Sequence, residues 1–582
     1  LIRIGNASGF YGDRFVAWRE MLTGGELDVL TGDYLAELTM LILGRDRARD
    51  PNTGYAKTFL RQMEGCLGLA AERGVRIVTN AGGLNPRGLA DALGSLAARL
   101  GLPTRIGYVE GDEVIRRPTE AGGGGGAPDG ALTANAYLGG FGIAAALSAG
   151  ADVVVTGRVT DASLVVGPAI AHFGWSRDDL DALAGATVAG HILECGAQAT
   201  GGNYSFFTEL PDRGRHPGFP IAEIAADGSA VITKHPGTGG GVTVETVTAQ
   251  LLYEIGVPAY PGPDVVTWFD AVRLHQDGPD RVRVSGTRGT PPPPTLKVGV
   301  NGLGGFRNTM TFVLCGLDIE AKAALVRDQL TDAVGTAGLE FVLARTDHPD
   351  AADTESASAL LHVHLRDADP RRAGRAFSAA AVELALASYP GCTLTTPPGD
   401  ATPYGVFSAE YVPQSDVDHV AILPDGARVP IPPPVKTEVI GTRGGTDGEP
   451  GEAHGATRRA ALGAVVGARS GDKAGDANLG VWARTDEAYS WLRGWLTTRR
   501  LRDLLPEAAA LPIERYVLPR LRAINFVIIG LLGPGVAAST RFDPQAKALG
   551  ELLRSRQAEI PVELLDGPGD VSPHAAPGGG PA

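Results

Sequence analysis

At 582 residues the chain exceeds what one hydrophobic core can organise, and length alone points to roughly two to four domains. Hydrophobic residues make up 43% and charged residues 20%, enough to bury cores, while a net charge of −14 leaves no basic footprint for a nucleic acid. Four cysteines (Cys66, Cys195, Cys315 and Cys392) stand far apart with no CxxC pair, which excludes a zinc knuckle and fits a reducing compartment.

The first ~215 residues alternate short β-like runs with amphipathic helices, the signature of βα units. LIRIG precedes a helix from about Arg14, ELDVLTG precedes YLAELTMLILG, and GVRIVTN precedes PRGLADALGSLAARLG. PTRIGYVEG and ADVVVTG follow, the latter leading into SLVVGPAIAHFGW. An α/β fold is expected, with an N-terminal Rossmann-like, mostly parallel sheet and flanking helices over 1–275. AGGGGGAPDG (121–130) reads as a flexible surface insertion. From about 276 the texture changes to RVRVSG, PPPPTLKVGV, NTMTFVLCG, the helix DIEAKAALVRDQLTDAVG and ALLHVHL, an α+β domain expected over 276–430. The stretch 431–455 is linker-like, and AALGAVVGAR onward predicts a ferredoxin-like α+β domain over 456–566. The Pro/Gly-rich tail 567–582 is expected to be disordered. Apolar stretches fall short of the ~20 residues a membrane span needs, and no signal peptide precedes the first strand. The expectation is a soluble, cytoplasmic protein from a GC-rich bacterial genome, with a few native residues missing before Leu1.

Ligands of open parallel sheets sit outside the carboxyl ends of the strands, so the residues that follow each strand are the candidates. The first strand end supplies Asn6, Ser8 and Gly9, the second Asp33 with Glu37 one turn on, and the third Asn80, Gly82 and Gly83. The run ADVVVTG is followed by Arg158 and Asp161, and HILECGAQATGG places Glu194 and Cys195 beside glycines. Lys234 and Thr238 flank a further glycine loop that opens onto a helix, a phosphate seat in outline. These groups converge on one edge if the sheet is parallel.

Each also has a structural reading. Gly5, Gly9 and Gly12 lack both the dinucleotide and the P-loop spacing, and a tight turn accounts for them. Asp13, Asp33 and Asp161 precede helices and can cap them. Arg158 can clamp a carboxylate or phosphate, or pair with Asp161. His191 and Glu194 at i, i+3 could share a metal, but no third ligand is specified, so no metal site is assigned. Asn85-Pro86 is a helix cap followed by proline. The polar, glycine-dense RSGDKAGDAN (469–478) can cover a site or make an interface.

Taken together, GNASGFYGDR, LDVLTGDYLAELTM, TNAGGLNPRGLADAL, VVVTGRVTDASLVVGPAIAHFGW, HILECGAQATGGNYSFF, KHPGTGGGVT and FRNTMTFVLCGLDI resemble the acyclic terpene utilization AtuA family. RSGDKAGDANLGVWAR, ERYVLPRLRAINFVIIGLL and STRFDPQAKALGELL resemble the ferredoxin-fold domain that follows in many members. The resemblance implies breakdown of citronellol- and geraniol-like compounds through acyl-CoA intermediates, beside a geranyl-CoA carboxylase. It supplies no catalytic residues. The expectation is an enzyme doing acid/base chemistry (hydration, dehydration or carbon–carbon cleavage) on a CoA thioester or related acid. Glu37, Asp161 and Glu194 would move protons, Arg158 and the glycine-loop amides would hold anionic groups, and Asn80 or Gly82-Gly83 would stabilise an enolate oxygen. No resident cofactor, nucleic acid or membrane partner is expected, and a homo-oligomer is possible. The alternatives are a non-catalytic accessory subunit of an acyl-CoA carboxylase and a phosphate- or nucleotide-binding regulator.

Overall fold

The structure, a computed structural model, describes residues 1–115, 130–441 and 455–566. Residues 121–129 of the expected insertion, 442–454 of the expected linker and the 567–582 tail lie outside the described residues.

Short apolar runs rich in β-branched side chains build the parallel centre. These are β1 (Ile2–Asn6), β2 (Val29–Gly32), β3 (Arg76–Thr79), β4 (Ile106–Glu110) and, after β5 (Ala131–Ala136), β6 (Val153–Thr156). In space they run β1-β2-β3-β6-β4, every neighbouring pair parallel. Alternate residues feed two cores. Leu30, Ile77, Val153 and Val155 pack with the helices Ala17–Gly24, Lys57–Arg73 and Pro86–Leu100. Val29, Val78 and Val154 pack with Phe141–Ser148, Ser163–Phe173 and Leu180–Glu194 on the other face. Burial on both faces is why these strands read as continuous apolar runs. In Leu180–Glu194 every residue from Ala182 onward is buried, the mark of a helix apolar all round.

The expected mostly parallel sheet is corrected at its edges: it is an 11-stranded mixed sheet. Beyond β1 lie β7 (Pro220–Ile224), β8 (Ala230–Lys234) and the strands Arg281–Ser285 and Arg273–Gly278; beyond β4 lie Val420–Ile422 and Arg428–Pro430. All these outer pairings are antiparallel. For the hairpin pairs the reason is the length of the connection. A parallel neighbour needs a crossover, whereas β7 and β8 are joined by a tight turn at Asp227-Gly228, with Gly228 at a φ of 82°.

A second sheet is organised by the 21-residue strand Thr295–Cys315, bent at Gly305 (φ 123°), which pairs with Ser358–Asp367, Thr402–Pro413 and β5. Pairing with β5 carries this sheet onto the carboxyl edge of the first. The C-terminal residues form a four-stranded antiparallel sheet, ordered Val466–Lys473, Asp476–Ala483, Ala523–Ile528 and Ile513–Leu518. Leu492, Trp495, Leu549 and Leu553 from its helices close its core. The amphipathic run EAYSWLRGWLTTRRLRDLL forms two helices, Asp486–Trp495 and Thr498–Leu504, because Thr497 turns to cap the second by accepting from the Arg500 N–H at 3.2 Å.

Candidate functional site

The loop after β1 is fixed by its own polar groups. Asn6 Nδ2 donates to the carbonyls of Leu193 and Glu194 at 2.6 and 3.2 Å, and Ser8 Oγ donates to the Asp33 carbonyl at 2.8 Å. The Asp13 carboxylate accepts from the Gly9 N–H at 2.8 Å and from the Arg14 N–H at 2.7 Å. A Cβ on Gly9 would lie 2.7 Å from the Cys195 carbonyl carbon, so this glycine is required by the close approach of the loop to the end of Leu180–Glu194.

Asn80, at the end of β3, donates through Nδ2 to Asp33 at 2.6 Å and accepts the Tyr34 N–H at 2.7 Å. Asp33 also accepts the Leu35 N–H at 3.1 Å. It is not the cap of the following helix: Ala36 holds that position and Glu37 opens the helix. Asp161 likewise leaves capping to Ala162. The capping reading is thereby corrected for both carboxyls, which remain in the crevice. Asn85 does cap, accepting the Gly88 N–H at 2.9 Å. Gly82 and Gly83 are packing residues. A Cβ on Gly82 would meet the Thr156 carbonyl at 2.4 Å, and the Gly83 N–H already donates to the Asn80 carbonyl at 3.1 Å.

Arg158, after β6, is 4% exposed. Its guanidinium donates to the Leu35 carbonyl at 2.7 Å, lies 3.0 Å from an Asp161 oxygen and stacks 4.1 Å from the Tyr137 ring centre. Lys297 sits on the same ring at 4.7 Å and lies 3.8 Å from Glu37. On the buried helix His191 Nδ1 lies 3.1 Å from Glu194, with the His191 ring against Tyr260 and Phe269. From above comes the hairpin that contains RSGDKAGDAN: Lys473 donates to the Glu254 carbonyl at 3.0 Å, and Arg469 stacks 4.1 Å from Tyr253 and bonds Gln198. This stretch therefore covers the crevice.

Among the described residues several buried polar atoms here have no hydrogen-bond partner: Arg158 Nε, His191 Nε2, Gln250 Oε1 and Asp472 Oδ1, while Asp161 Oδ1 and His191 Nδ1 are held only by their ion pairs with Arg158 and Glu194. Buried polar groups are normally satisfied, so such a concentration singles this cluster out from the rest of the interior. Among the described residues no group of three or more His, Cys, Asp or Glu side chains is placed to hold a metal. Beside the cluster, Glu37, Leu38, Leu41, Phe407, Asp472 and Val536 line a shallow cleft that opens to solvent.

The electrostatics follow from crowding carboxyls in a dry place. Burial, then the neighbouring Asp161, holds both Asp33 and Glu194 well above the usual carboxyl range. Burial also raises Asp161, against the pull of Arg158. Burial and then Asp472 push Glu254 up to about 7, and burial and then Glu37 push Asp472 up to about 6. Glu37 goes the other way: burial opposes ionisation, but Lys297 and Arg158 outweigh it and hold the carboxyl below its usual value. Burial and then Glu194 raise the Cys195 thiol well above its ordinary value, so it is no ready thiolate.

The structure thus brings together Asn6, Ser8, Gly9, Asp33, Glu37, Asn80, Arg158, Asp161, Glu194 and Cys195. Lys234 and Thr238 stand apart: Lys234 donates to the Thr238 carbonyl at 2.8 Å and pairs with Asp280 at 3.0 Å, so its charge is already engaged. Tyr137, Glu254, Lys297, Asp472 and Lys473 were not singled out from the sequence as site residues. One signal was available for Glu254, a carboxylate in the apolar run LLYEIG.

The family model described as "Acyclic terpene utilisation family protein AtuA" matches residues 2–423, and that of the AtuA ferredoxin-like domain matches residues 460–559. No curated protein and no solved structure matches the chain.

Proposed function

Since the chain belongs to the AtuA family of acyclic terpene utilisation, we propose that it is an enzyme moving protons on a branched CoA thioester or a related acid. The outcome would be hydration, dehydration or carbon–carbon cleavage. The observation that supports this most is the division of the carboxyls around one set of unpartnered buried atoms. Glu37 is held as a carboxylate, while Glu194, Asp161 and Asp33 retain protons more strongly than ordinary carboxyls. A base and an acid pushed apart by their surroundings are what proton transfer in both directions needs.

In this reading Arg158 Nε faces a developing oxyanion, because Asn80 and the Gly83 N–H are already engaged with Asp33, Tyr34 and Asn80 itself. Asp161 and Glu194 donate protons, Glu37 accepts one, and Asn6 and Asn80 hold the loops that position them. An apolar acyl chain would lie in the cleft of Leu38, Leu41 and Phe407. The alternative is an accessory subunit with the C-terminal domain as its docking surface; the hairpin of that domain is turned inward onto the cluster, which favours the enzyme reading.

Thermal-shift titration tests the proposal. A rise in melting temperature with branched acyl-CoA esters, absent with free CoA and nucleotides, is expected, because a ligand that binds only the folded state stabilises it by mass action. No shift with any acyl-CoA ester overturns it.

A further inference from the structure

The stretch Leu252–Gly256 follows the helix Val244–Leu251 and is bound by the C-terminal sheet through one of its N–H groups and four of its carbonyls. Asn478 Oδ1 accepts the Glu254 N–H at 2.7 Å, and Asn478 Nδ2 donates to the Leu252 carbonyl at 2.9 Å. Asn525 Nδ2 donates to the carbonyls of Ile255 and Gly256 at 3.2 and 2.8 Å. The two amides are themselves joined at 2.6 Å, and both are 0% exposed. Lys473 takes a fourth carbonyl, that of Glu254, at 3.0 Å. Two glycines permit this approach: a Cβ on Gly480 would stand 2.5 Å from Leu252 Cβ, and one on Gly471 would stand 2.3 Å from the Tyr253 ring.

The bonds hold Glu254 in a left-handed conformation, φ 58°. A glutamate stays there only where its surroundings over-determine it, and such strain collects at functional sites. The carboxyl lies within electrostatic range of Asp472, Lys473 and Arg469 of the C-terminal hairpin, of Glu37, Asp161, Glu194, His191 and Cys195 of the crevice, and of its neighbours Tyr253 and Tyr260. It differs from the other carboxyls in reach. Asp33 is spent on Asn80 and a backbone N–H, and Glu194 is 9% exposed, whereas Glu254 is half-buried.

We propose that Glu254 joins Glu37, Asp161 and Glu194 as a group that exchanges a proton with the substrate, and that Asn478 and Asn525 are its positioning residues, so that the C-terminal domain completes the site. This rests on the acid/base reading above. In the step, the Glu254 carboxylate takes the hydrogen from the carbon beside a thioester carbonyl. The C–H electron pair moves to the carbonyl oxygen as an enolate beside Arg158. The proton, now on Glu254, returns in the reverse step, and no co-reactant is consumed. Burial brings Glu254 to about 7, where loss and gain of a proton are balanced near neutrality.

Two measurements on the full chain test it. In the first, carbon-13-labelled glutamate carboxyls are titrated by NMR in the wild type and in Glu254→Gln, Asn478→Ala and Lys473→Met. A carboxyl with a midpoint near 7 is expected to vanish in Glu254→Gln and to move in Asn478→Ala. Should Asn478→Ala fail to fold, Lys473→Met must raise the midpoint by removing a facing cation. No loss in Glu254→Gln, or an unmoved midpoint in the folded positioning variants, overturns the proposal. In the second, α-deuterium exchange of isovaleryl-CoA in heavy water is expected to fall about a hundredfold or more in Glu254→Gln. Exchange as fast as wild type overturns the proposal and leaves the enzyme reading standing. Absence of exchange in the wild type counts against the acyl-CoA reading on which the proposal rests.

Discussion

Replacing Gly9 with alanine should disturb the site through packing alone. The added Cβ meets the Cys195 carbonyl carbon at 2.7 Å, its Cα at 3.0 Å and its oxygen at 3.1 Å. All three are backbone atoms at the end of a helix buried on every side, so they cannot rotate away. The loop is pinned as well, by Asp13 on the Gly9 N–H and by Ser8 on Asp33. With neither side free to yield, the cost falls at the upper end of the overpacking range, about 3 kcal/mol. For a folding unit of 150–250 residues this is a fall of roughly 6–12 °C in melting temperature. Gly65→Ala is the control: exposed in the helix Lys57–Arg73 with nothing within 4 Å, it should gain about 0.5–1 kcal/mol. Differential scanning calorimetry of both variants checks the pair. A Gly9→Ala protein that melts with the wild type or above it would refute the close approach and the packing role assigned to this glycine.

Burial holds the pKa of His191 down to about 4, against an ordinary value of 6.5. The unfolded imidazole therefore takes its proton first, so this contribution to stability is full above 6.5 and is lost as pH falls toward 4. Across that window it amounts to ~3 kcal/mol, and His191→Gln should flatten the acid limb of urea unfolding by about that much. Asn80→Ala strands the Tyr34 N–H and one oxygen of Asp33 in a site 0% exposed at residue 80. It should cost about 2–4 kcal/mol in chemical denaturation, and a loss under 1 kcal/mol would show that the pair is not load-sharing. Cys195, its thiol raised by burial and then by Glu194, should resist iodoacetamide at mildly alkaline pH in the folded protein and react on unfolding. Mass-spectrometric mapping reads this directly. The C-terminal domain shares a fold name with iron–sulfur proteins, yet residues 456–566 contain no cysteine. Its purified form should show no thiolate-bound cluster absorbance.

The parallel centre was legible because VVVT lacks alternation and both it and IRIG are followed by glycines and helices, a pattern that strands buried on both faces impose. The strand-end residues were legible for the same reason, since topology alone sends Asn6, Asp33, Asn80 and Arg158 to one edge. The antiparallel flanks were not, because PIAEI and AVITK are as apolar as the parallel strands and differ only in the tight turn between them. Lys297, Glu254 and Lys473 reach the crevice by long-range pairing. Lys297 arrives because Thr295–Cys315 pairs with β5, and Lys473 because Asn478 and Asn525 seat one sheet on the loop 252–256. No local spacing encodes such meetings. RSGDKAGDAN was recognisable as polar and glycine-dense, but only the positions of Leu252 and Tyr253 reveal what its glycines are for.

The return of the chain to the first sheet bears on how the protein is made. β4 pairs with Val420–Ile422, a strand about 310 residues further along. At synthesis rates of about 5–20 residues per second, the β4 edge waits roughly 15–60 s for its neighbour. During that interval the nascent sheet presents unpaired N–H and carbonyl groups, the template on which chains aggregate. The N-terminal half is therefore the part whose yield should depend most on chaperones, and a short peptide spanning Val420–Pro430 should protect it in trans while it is being made.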